Sequence, residues 1–218
     1  MDFSLATIVL WAVPVVFAIT LHEAAHGYVA RLFGDQTAWM LGRVTANPLK
    51  HIDPVGTIVV PGMLLAVAAI THTPAFVFGW AKPVPVNFGN LRNPKRDMFW
   101  VAGAGPSANF VMAFGWGLLL RAAMPGGILA SNGLLEMADA GIQVNLMLMA
   151  LNLLPILPLD GGRIAVSLLP HSLAVGYARL EPYGFMVVIL LLATGILSVL
   201  MRPILRIAEF ALAALLGV

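Results

Sequence analysis

The stretch TLHEAAHGYVA, residues 20–30, crowds two histidines and a glutamate into five positions of an apolar run. His22 and His26 are four apart, so on a helix they share a face with Cβ atoms about 6 Å apart. That spacing can bring two imidazole nitrogens onto one zinc ion, each at about 2.1 Å. Glu23 is rotated about one residue from His22, so its carboxylate would meet a water rather than the ion, as a general base for hydrolysis does. Such a centre needs a third ligand. Asp160, in NLLPILPLDGGR (residues 152–163), is the one other acidic residue deep in a span-like segment. Each feature has a plainer reading. The histidines could be satisfied by hydrogen bonds between helices, and Asp160 could cap a helix near a surface.

The elements that position these groups are set by composition. The chain has 218 residues, 60% hydrophobic and 10% charged, and its mean hydropathy is +0.93. A soluble domain is nearer a quarter charged, so the expected class is an all-α polytopic membrane protein, one domain over residues 1–218. With no cysteine there is neither a disulfide framework nor a thiolate metal site. The net charge of +2 argues against a nucleic-acid surface. MDFSLATIVLW lacks a basic start and a small-residue cleavage site, so it reads as a retained helix rather than a signal peptide.

Apolar segments fall at about 3–33, 55–71, 98–120, 139–159 and 184–201, each near the ~20 residues that span a bilayer. Five to six transmembrane helices are expected, the sixth being 203–217 if it spans rather than lies in the interface. Between the first and third segments, KPVPVNF (residues 82–88) favours an extended strand, so a re-entrant or short β element is expected there. Segment 55–71 either spans or dips in and returns through 72–90.

Basic residues set the orientation. Arg31, Arg43, Lys50, Lys82, Arg92, Lys95 and Arg96 lie between the first and third segments. With that region cytosolic, Arg163 and Arg179 also fall inside and only Arg121, Arg202 and Arg206 outside. His22 and Asp160 then lie at similar depth on parallel helices, toward the cytosolic side. The antiparallel third helix brings Gly105, Pro106 and Asn109 of AGAGPSANF to the same level. Pro155 and Pro158 would break the fourth helix there, which membranes tolerate only where the backbone lines a buried or wet cavity. A water path through Arg31, Asn47 and Arg163 is expected.

In order, HEAAH, GPSAN and NLLPILPLDGG resemble the motifs of the site-2 protease family, the intramembrane zinc metalloproteases, over about residues 10–170. The likeness is to compact prokaryotic members, with no PDZ or CBS domain evident. It implies one Zn²⁺ held by His22, His26 and Asp160, with Glu23 as catalytic base. It also implies substrate contacts from Asn152 and, by the GPxxN position, from Asn109. The implied partners are the lipid bilayer and a membrane-anchored protein substrate, cut in or near its transmembrane helix, often to release a regulator. The implied location is the cell membrane. His51, His72 and His171 lack ligand spacing and are not recruited. Metal transport would use similar buried groups, but transporters usually carry paired repeats and none is visible.

Overall fold

The computed structural model describes residues 5–71 and 81–217, and among these every regular element is helical. His72 and the first part, 72–80, of the expected return through 72–90 lie outside the described residues. Helices α1 (Leu5–Leu32), α2 (Thr37–Met40) and α3 (Val60–Thr71) come first. A π-helical turn, Pro54–Val59, leads into α3, and Asp53 caps it by accepting the Val55 and Gly56 N–H groups. Then follow α4 (Pro94–Ala123), α5 (Asn132–Asn152), α6 (Asp160–Leu168), α7 (His171–Ala178), α8 (Glu181–Ala193) and α9 (Ile196–Leu216).

Helix α4 is the axis of the molecule and packs against α1, α5, α6 and α9. Its buried positions include Ala102, Gly105, Asn109, Ala113 and Gly117, a stripe of small residues three or four apart. Small side chains let neighbouring helix backbones approach closely. Pro94 opens the helix, and Asp97 in its first turn accepts the Asn93 N–H at 2.7 Å.

Two apolar segments differ from their expected limits. The fourth begins earlier, at Asn132, and its helix stops at Asn152, because Pro155 and Pro158 cannot continue the ladder. The chain turns through 153–159 and restarts at Asp160. The fifth, 184–201, is two helices. They part at Thr194 and Gly195, where Gly195 takes a left-handed φ of 74° and the Thr194 hydroxyl donates to Leu190 O. Hydropathy does not register such a break. Helix α9 then absorbs the expected 203–217. Its first turns, Leu197 and Met201, pack with Ala150 and Leu154. Its last, Leu212 and Leu216, pack with Ala113 and Leu146, and the Arg121 guanidinium donates to Leu216 O. Helix α9 therefore runs alongside α4 in the same direction. Arg202, counted outside from the sequence, follows Met201 at the end of the bundle that carries Leu154, the same end as the candidate centre's Asp160 turn.

Residues 81–87 form no strand, and no strand occurs among the described residues. They cross the molecule as an extended strap pinned at both ends. Arg43 Nη2 donates to Lys82 O at 2.8 Å and Lys82 N–H to His51 O at 2.9 Å. At the far end the Asp35 carboxylate accepts the Asn87 N–H at 2.7 Å and the Asn90 amide at 3.1 Å. Among the described residues one helix, α5, is long and apolar enough to cross a membrane. Helices α7 and α8, bent by 66°, would together make a second.

Candidate metal centre

Helix α1 presents His22 and His26 inward, both buried, with rings edge to face and centroids 4.7 Å apart. Their partners settle which nitrogen bears the hydrogen. His26 Nδ1 lies 2.7 Å from Val101 O on α4, and a carbonyl can only accept, so Nδ1 carries the proton. His22 Nδ1 lies 2.5 Å from Asn109 Oδ1, also an acceptor. With the hydrogen on Nδ1, the neutral form of each ring turns a bare Nε2 inward. The two Nε2 atoms are 3.0 Å apart, and Asp160 Oδ2 stands 3.2 Å from His22 Nε2 and 3.3 Å from His26 Nε2.

Asp160 reaches this point because the turn at 153–159 delivers it to the first position of α6, where the helix dipole favours a carboxylate. Gly161 and Gly162 follow, since a Cβ on either would strike the backbone of residues 153–157. Asp160 Oδ2 is buried and accepts no hydrogen bond, which is costly unless a positive charge lies beside it. Three electron-pair donors this close repel one another unless a cation sits among them. Ligand bonds of about 2.0–2.2 Å at tetrahedral angles would hold ligand atoms about 3.3–3.6 Å apart. The donor set and its spacing fit a zinc-sized ion. Gly105 on α4 leaves the room: a Cβ there would lie 2.6 Å from His22 Nε2 and would also strike His26 Nε2.

Glu23 borders the same cavity, of about 150 Å³, with Asn152 and Arg163. Its Oε2 accepts the Val84 N–H from the strap at 2.6 Å. Pro83 and Pro85 have no N–H, so Val84 supplies the one backbone donor of that tripeptide, and it is spent on Glu23. The structure thus brings together His22, Glu23, His26, Asp160 and Asn152. Asn152 donates through Nδ2 to Leu148 O at 3.0 Å and keeps its side chain at the cavity wall. Asn109, expected at the substrate, is wholly buried behind His22 and does not line the cavity. Of the expected water path, Arg163 lines the cavity. Arg31 instead stacks over Trp39 at 3.5 Å, and Asn47 caps the turn Pro48–Lys50.

Sequence reasoning missed Val84 and Asn145. Asn145 carried a readable signal: it is polar within an apolar helix and seven residues, two turns, before Asn152. Val84 carried none, because its part is played by the backbone.

The family model described as "Peptidase family M50" matches residues 119–194, a span that includes Asn152 and Asp160 but not His22. The Bacillus subtilis (strain 168) protein named "Putative zinc metalloprotease YwhC" is 41% identical over 198 residues, covering 89% of this chain and 84% of its own. Rip2 of Mycolicibacterium smegmatis, similarly described, is 31% identical over 183 residues, 83% of this chain and 65% of its own. MJ0611 of Methanocaldococcus jannaschii, again so described, is 27% identical over 166 residues, 75% of this chain and 72% of its own. No solved structure matches the chain.

Proposed function

The chain belongs to peptidase family M50, the site-2 protease family, and from that premise we propose that it is an intramembrane zinc endopeptidase. It cuts membrane-anchored proteins in or near a transmembrane helix. The observation that carries this reading is the convergence of three bare donors, His22 Nε2, His26 Nε2 and Asp160 Oδ2, beside the Glu23 carboxylate in one cavity.

A multi-pass placement is supported by the outer surface. Trp11, Phe17, Val111, Leu118, Met147, Ile207 and Phe210 are all exposed, an apolar coat that water disfavours. Helices α1 and α4 have 28 and 30 residues, enough to cross, and their polar residues His22, His26 and Asn109 face inward. Averaging hydropathy around such a helix understates its lipid-facing side. Helices α1, α4, α5 and α9 cross, while α3 and the α7–α8 pair are further inserted segments. The basic residues gathered between α1 and α4 support a centre toward the cytosolic side.

Three protein ligands are the catalytic rather than the closed structural number. Held by His22, His26 and Asp160, one zinc ion per chain would acidify a water and polarise the scissile carbonyl. Glu23 takes the proton of the attacking water on the oxygen that Val84 leaves free, and returns it to the amine as the peptide C–N bond breaks. The Val84 N–H holds Oε2 and leaves the other oxygen of the cavity-lining carboxylate for the water. Asn152 offers its amide to the substrate backbone from the cavity wall, whereas Asn109 holds the His22 ring from behind. The strap excludes bulk water from one side.

Zinc content and cleavage of a membrane-helix substrate, measured side by side in detergent, test the assignments. Wild type should hold about one zinc and cut. Glu23→Gln should keep its zinc and lose roughly 10²–10⁴ in rate. Asp160→Ala should lose the metal. Cutting by Glu23→Gln at the wild-type rate removes the base assignment, and undiminished zinc in Asp160→Ala removes the third ligand. A wild type with no tightly held metal overturns the reading as a whole.

A further inference from the structure

We infer that Asn145, which touches neither the ligand atoms nor the cavity, is a positioning residue for His22 and acts through Asn109. The inference rests on the reading that His22 Nε2 is a metal ligand. Asn109 and Asn145 are both fully buried. From α5, Asn145 Nδ2 donates to Gly141 O at 2.8 Å, one turn back on its own helix. A backbone carbonyl only accepts, so the group facing it must be the NH₂ and Asn145 Oδ1 must point the other way.

That oxygen receives Asn109 Nδ2 at 2.9 Å. Asn109 Nδ2 also reaches Ala18 O on α1 at 3.3 Å, a longer contact with the same polarity. With its NH₂ so engaged, Asn109 turns Oδ1 to His22 Nδ1 at 2.5 Å. An oxygen there demands Nδ1–H, and the lone pair is left on Nε2, the nitrogen that faces His26 and Asp160. Three side chains, each with one direction open to it, carry the polarity of Gly141 O on α5 to the ligand atom on α1.

The apolar surroundings make this relay decisive. Each amide has no water to turn to, so a reversed Asn109 would set its oxygen against Ala18 O and Asn145 Oδ1. Without Asn145, one weak contact remains to resist reversal, and a reversed amide would donate to Nδ1 and favour the Nε2–H tautomer, which cannot bind a metal. Groups that orient a metal-bound histidine typically weaken metal binding 10- to 100-fold when removed. Asn145 stands one residue further out, so about tenfold is expected.

Two readouts test this on the full chain in detergent. The first is ¹⁵N NMR of the histidine ring nitrogens in metal-free protein, with His26, held by Val101 O, as internal control. The second is zinc affinity by competition with a chelator. Wild type should show Nδ1–H at His22. Asn145→Leu should show a tautomer mixture at His22 alone, with zinc binding about tenfold weaker. If the leucine variant does not fold, Asn145→Ser applies the same test, since its hydroxyl can satisfy Gly141 O but is too short to reach Asn109. An unchanged His22 tautomer and zinc affinity within twofold of wild type, in a folded variant, overturns the relay. If wild type binds no zinc, the metalloprotease reading fails while the tautomer comparison still decides the relay.

Discussion

At the scale of single residues, the centre depends as much on an omitted atom as on its donors. Gly105 leaves open the volume toward which both Nε2 atoms point. Gly105→Ala should leave the fold intact, because alanine in a helix interior is favoured over glycine by roughly 0.5–1 kcal/mol. The new methyl would crowd the ligands. Overpacking of about 1–3 kcal/mol corresponds to roughly 5- to 150-fold weaker zinc binding, to be read by chelator competition beside a thermal melt. Full zinc affinity in Gly105→Ala would remove this account of the glycine. The same residue shows what was legible in sequence. HEAAH could be read because its chemistry lies in spacing along one helix. The G-x-x-x-N spacing of Gly105 and Asn109 is local too, one turn on one face, but its purpose is visible only once α1 lies against that face.

At the scale of elements, the strap was legible as extended and its anchors were not. Pro83 and Pro85 announce a non-helical segment, yet nothing in KPVPVNF says that Asp35, some fifty residues earlier, will hold its far end. Burial pushes the Asp35 carboxyl up, but hydrogen bonds from Thr37, Asn87 and Asn90 outweigh it and hold the group below its ordinary value near 3.8. A depressed carboxyl lends stability that is fully present above the ordinary value and is lost as pH falls through the lowered one. The hydrogen-exchange protection of residues 81–90, relative to the unstructured chain at the same pH, should therefore fall in that window. Asp35→Asn should show the reduced protection already at neutral pH and little further change on acidification. Protection that is flat with pH in wild type would mean that Asp35 does not anchor the strap. The split of 184–201 at Gly195 was hidden for a related reason: hydropathy sums along the chain and cannot see one residue's φ.

At the scale of the whole molecule, the three donors come from two stretches far apart in the chain. Helix α1 supplies two and α6 the third, with α4 between them. An ion bound by that set stabilises only the folded state, by about 2.7 kcal/mol when zinc is a hundredfold above its Kd. For a chain of this size that is roughly 5–10 °C in Tm, which chelation should remove from wild type. The same chelation should leave Asp160→Ala unmoved, and equal shifts in both would mean that the stabilising ion sits elsewhere. The helical class and the meeting of HEAAH, GPSAN and PLDGG at one level were legible from sequence because each follows from local composition or helix rise. The direction of α9 was not, since it rests on side-chain packing of Leu197 and Leu216 with residues far away in sequence.

The distance between His22 and Asp160 along the chain, 160 − 22 = 138 residues, is also an interval of time. Synthesis proceeds at about 5–20 residues per second, so the ribosome delivers the third donor roughly 7–28 seconds after the first two. Throughout that interval the growing chain holds the base and two imidazoles without the carboxylate that completes the set. On the proposed reading a nascent copy cannot cut whatever shares the insertion site with it. Activity begins only when most of the protein has been made.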